Sequence, residues 1–103
     1  MLHVIRGGEG WEAVAKVNPA KILAIQLSDG GLEKPTDWPA AAVTDRAIPG
    51  EGDFDLASLV PLLPPGVPIG IEVPSLSLAA RLPAEERAAY MLERTRIMMG
   101  DIE

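Results

Sequence analysis

Three short apolar segments, each followed by a glycine- or proline-rich turn and then a helical pattern, do most to limit what this chain can fold into. Residues 2–5, LHVI, read as the end of a strand; a glycine-rich turn follows over 6–10. WEAVAKV at 11–17 reads as a short helix stopped by Asn18-Pro19. The run ILAIQLSD, 22–29, has the near-continuous leucine and β-branched content of a strand covered on both faces. A long connector over 30–54 carries Trp38 and the segment RAIPGEGDFD. Connectors of this length inside a compact domain are usually functional or disordered. Asp55 can cap a short helix over LASLVPLL, interrupted by Pro61, and PIGIEVPS at 68–75 is the third strand. Pro83 then opens a final helix, AEERAAYMLERTRIMM, whose stripe of Ala84, Ala88, Met91, Leu92, Thr95, Met98 and Met99 ends at Gly100. Strand and helix alternating in this order predict right-handed crossovers and a parallel sheet.

A chain of 103 residues is one domain, with 48% hydrophobic and 23% charged residues. Three parallel strands alone would leave two open edges, so the sheet is expected to be completed by oligomerisation or by upstream sequence. The net charge of -6 and the scatter of the basic residues argue against a nucleic-acid partner. No apolar run is long enough for a membrane span, and the absence of cysteine suits a cytoplasmic setting.

In parallel α/β folds, chemistry gathers at the carboxyl ends of strands and in the loops beyond them. Glu72 interrupts a run that is otherwise dry, where a carboxylate is costly unless paired, hydrogen-bonded or metal-bound. Gln26 interrupts the second strand three residues before Asp29, and His3 and Arg6 lie in and just after the first. Arg46 precedes a proline-glycine segment that cannot be helical; it is either an anion or hydroxyl clamp or a structural ion pair with Asp45 or Asp53. PGEG lacks the lysine and hydroxyl residue of a phosphate loop, and RGGEG lacks dinucleotide-fingerprint spacing.

The series H-x-x-R, AIQLSDG, DRxxPGEGDFD and PIGIEVPS resembles the last third of the xylose-isomerase-like TIM barrels. The resemblance covers nearly the whole chain. It implies that residues 1–103 are the C-terminal part of a (β/α)8 barrel, about three strand-helix units. It further implies a divalent metal (Mn, Mg or Zn), with isomerisation or epimerisation of a small sugar or polyol. By the same resemblance Glu72 is catalytic and a metal ligand, Gln26 a second ligand, and His3, Arg46 and Arg6 contact the polyhydroxylated substrate. Ala47 stands where the endonuclease relatives have a zinc-binding histidine, which speaks against DNA cleavage.

The pattern's aspartate would fall ahead of Met1, and the family's earlier glutamates lie on strands outside these residues. The chain alone is therefore expected to be inactive. The alternative is a non-catalytic, homo-oligomeric α/β remnant or structural interaction unit.

Overall fold

Ile25–Leu27 (β1) and Ile69–Ile71 (β2) pair in parallel, with Ile25 opposite Ile69, Gln26 opposite Gly70 and Leu27 opposite Ile71. They form the only sheet in the computed structural model, which describes residues 1–100. The described residues also form six α-helices: α1 (Leu2–Arg6), α2 (Trp11–Ala15), α3 (Trp38–Thr44), α4 (Leu56–Leu59), α5 (Leu76–Arg81) and α6 (Ala84–Met99). Short 3₁₀ turns occupy Pro19–Lys21 and Val60–Leu62, the second where Pro61 denies α4 a further amide donor.

Side chains on the strands alternate between a covered and an open face. Ile25 and Leu27 are buried with Leu2, Val14, Ala42, Phe54, Leu56 and Leu59, and Ile69 packs against that cluster. Ala24, Gln26, Pro68 and Gly70 are exposed. The sheet is thus one-sided, whereas the sequence suggested strands covered on both faces. The molecule is correspondingly flat, measuring 40 × 36 × 21 Å.

The barrel expectation does not survive this architecture. LHVI, expected as a strand, forms α1 instead, and the Met1 amine donates to the Gln26 carbonyl at 2.6 Å. In a parallel ladder that carbonyl points away from β2. A helix N-terminus therefore occupies the edge of β1 where a further barrel strand would pair. Two three-residue strands in an open, uncurled sheet are an α/β globule, not part of a (β/α)8 barrel. The stretch 30–54 is likewise not all loop. Asp37 accepts a bond from the Ala40 amide, Pro39 lies in the first turn, and α3 follows. The stretch after β2 contains α5, whose first turn Ser75 caps through the Leu78 amide at 3.2 Å. On α6, Met91, Thr95, Met98 and Met99 turn inward, while Ala84, Ala88 and Leu92 remain exposed. Gly100 ends the helix at φ 83°, a left-handed conformation in which glycine carries no Cβ penalty. No helix among the described residues is long and apolar enough to cross a membrane.

Candidate polar cleft around the 45–54 loop

Asp29 organises this region. It is 1% exposed, immediately beyond β1, and its carboxylate accepts amide bonds from Gly30 (2.8 Å), Gly50 (3.0 Å) and Phe54 (2.9 Å). Backbone bonds in both directions between Asp29 and Ala47 start the loop, and the Asp53 amide bonds to Gly30 O at 2.7 Å near its end. An ionised carboxylate suits this position because it only accepts, and three donors converge on it. Gly50 has φ 93° and lies against Met98, so a Cβ there would meet Met98 Cβ at 3.0 Å. A Cβ on Gly52 would collide with Asp29 Oδ1 and lie 2.6 Å from Gly30 N. The two glycines of PGEGDFD thus permit one tight turn and one close approach to a buried acid.

Arg46 lies between the Asp45–Ser75 and Asp29–Ala47 bridges and is covered, its side chain only 9% exposed. Its Nε donates to the Ala42 carbonyl at 2.6 Å and its Nη1 to Glu72 Oε2 at 2.9 Å. The partner is Glu72 rather than Asp45 or Asp53. Glu72 lies just beyond β2, half-exposed, with its amide bonded to Leu27 O.

Of the residues singled out in the sequence, Arg46 and Arg6 line one cavity of about 210 Å³, together with Trp38 and Asp29. Arg6 donates to Gly31 O at 2.9 Å and stacks over Phe54 at 5.4 Å. Glu72 is joined to this group only through Arg46. Gln26 is exposed on the open sheet face, and His3 is exposed on α1. Among the described residues no three His, Asp or Glu side chains are grouped so as to hold a metal ion. With neither barrel nor metal-holding group, the reading as a metal-dependent sugar isomerase or epimerase is overturned.

A larger cleft, about 400 Å³, opens between the loop and the start of α5. Asp45, Arg46, Glu51 and Asp53 line it from the loop, and Ser75, Ser77 and Arg81 from α5 and its cap. Glu51 is tied to α6: Tyr90 donates to it at 2.8 Å, and Arg94 Nε lies 3.3 Å away, at ion-pair distance but without hydrogen-bond alignment. The bond to Glu51 raises the Tyr90 phenol above its ordinary 10.0, since ionising it would set two anions side by side. Burial, and then the Arg46 guanidinium, lower the Met1 amine below 8.0, with Glu72 pulling the other way. The residue type of Asp29 and its place before Gly30-Gly31 carry no sign of the downstream amides it gathers.

Comparison with known proteins found no matching family model, no matching curated protein and no matching solved structure.

Proposed function

We propose that this chain is a self-associating structural unit, in which two copies join their sheets. The observation that carries the reading is the outer edge of β2. In the parallel ladder Gly70 faces β1, so Ile69 and Ile71 turn their N–H and C=O groups outward. Neither residue bonds to backbone outside the ladder among the described residues. An unpaired edge of this kind is a template for another strand. A two-fold axis beside β2 would pair it antiparallel with its own copy, giving the order β1-β2-β2-β1 and a self-complementary interface.

Surface area supports a partner. The chain exposes 6486 Å² at 10.9 kDa, against roughly 5,600 Å² for a compact monomer of that mass. The excess of several hundred Å² is of the order that one partner buries in a standard interface, ~800 Å². The open face beside the edge is uncharged and its side chains are mostly short: Ala24, Gln26, Pro68 and Gly70.

The test is solution mass by light scattering, with Gly70→Lys as the disrupting variant. A Cβ at Gly70 meets only Ile25 O, at 3.9 Å, so the fold accommodates the change. The expected result is a dimer that Gly70→Lys shifts to monomer, with slow amide exchange at Ile69 and Ile71 in the dimer alone. A wild-type monomer at high micromolar concentration, or fast exchange at both amides in a dimer, rejects the reading.

A further inference from the structure

We infer that the cleft between the 45–53 loop and α5 binds a small zwitterion of amino-acid type, one presenting a carboxylate and an ammonium group. This site is separate from the β2 edge and does not depend on association there. At about 400 Å³ the cleft falls within the range of small-molecule sites and has room for any single amino acid.

The chemistry of its walls selects the ligand. Arg46 carries five N–H groups, of which Nε and one on Nη1 are used by Ala42 and Glu72. The remaining donors are not buried, and the guanidinium that carries them lines the cleft, so they are free to meet an acceptor there. Arg81 lines the same space and has no ion pair or hydrogen bond among the described residues. Ser77 adds a hydroxyl, bonded only to Ser75 Oγ at 3.2 Å. These groups together accept a carboxylate.

Asp45 and Asp53 line the same cleft with carboxylates that take no side-chain bond among the described residues. A Cβ on Gly31 would stand 4.0 Å from Asp53 Oδ2, which places that oxygen over the Gly30-Gly31 turn at the cleft wall. A simple anion would be repelled by these acids, and a simple cation by the two arginines. An apolar ligand would strip water from both sets without replacing it. A zwitterion satisfies both sets of groups at once.

The experiment is calorimetric titration of the intact chain with the standard amino acids, each to ~10 mM, beside succinate and propylamine as single-charge-type probes. At least one amino acid is expected to bind with Kd of ~1 mM or tighter, and both probes about tenfold more weakly. Arg81→Gln and Asp53→Asn, both at exposed positions, should each weaken that amino acid by about tenfold while leaving the unfolding midpoint unchanged. The inference is overturned if no amino acid binds, if succinate or propylamine binds equally well, or if both variants keep full affinity.

Discussion

Arg46 Nη1 lies 2.9 Å from Glu72 Oε2, joining the second residue after α3 to the residue after β2 across 26 positions of chain. The two ends of the contact are unequal, because Arg46 is covered and Glu72 is 43% exposed. Loss of the carboxylate is therefore screened by water, and Glu72→Gln should cost about 0.5–1 kcal/mol. Arg46→Met also removes the bond to the Ala42 carbonyl, and should cost about 1–3 kcal/mol. Denaturant titration of both single variants and the double variant checks this; equal costs for the two singles would contradict the asymmetry.

The Asp29 site makes a sharper demand. Asp29→Asn replaces one acceptor oxygen with an amide donor in front of three backbone donors, and should destabilise by about 2–4 kcal/mol. Gly52→Ala should cost about 1–3 kcal/mol, because its Cβ runs into the same carboxylate. Gly8→Ala provides the comparison. It meets nothing within 4 Å, so only its φ of 85° opposes the change, at about 1 kcal/mol. Urea midpoints in which Gly8→Ala proved the more damaging would refute the close-approach account.

Burial of the Met1 amine gives stability a pH dependence with a definite sign. Its pKa is lower in the folded chain than the ordinary 8.0, so the unfolded chain binds more protons between those two values. Stability should then rise with pH through that window, up to about pH 8, and level off above it. Acetylating the amine should remove the slope. A thermal midpoint that fell over the same range in the free-amine chain, with acetylation reversing the fall, would show the opposite linkage.

Tyr90 reports on the loop from the outside. Its phenol should titrate above 10.0, and Glu51→Gln should bring it back toward that value by removing the acceptor charge. Ultraviolet titration of the only tyrosine measures this directly. An unchanged titration in the variant would mean that Tyr90 does not hold Glu51 in solution.

Local signals in the sequence located several elements well. Pro83 and Gly100 bracket α6, and the apolar runs ILAIQLSD and PIGIEVPS locate β1 and β2 to within a few residues. LHVI was misleading because a four-residue apolar run has no period long enough to separate strand from helix. The signals for α3 were present, in Asp37 as cap, Pro39 in the first turn and three alanines after it, but the surrounding prolines and glycines masked them. The barrel resemblance rested on Arg46, PGEG and Glu72 at their spacing. The structure uses those same residues to pair Arg46 with Glu72 and to wrap a loop on Asp29. Such pairings span 21 to 26 positions, and nothing in the local pattern of either partner announces the other.

The core is drawn evenly from the two sides of residues 31–37. Leu2, Val14, Ile25 and Leu27 come from before that stretch, and Ala42, Phe54, Leu56 and Leu59 from after it. The β1–β2 ladder and the Asp29 bonds also cross from one side to the other, while 31–37 itself is exposed throughout. Peptide continuity there thus fixes little of the native arrangement, and a protease cut between Glu33 and Thr36 should leave two pieces that elute together under native conditions. Separate elution of the pieces would show that the covalent link is needed. If they stay together, the chain is a split protein in waiting: two fragments expressed apart would find one another through the same joints that close the intact molecule.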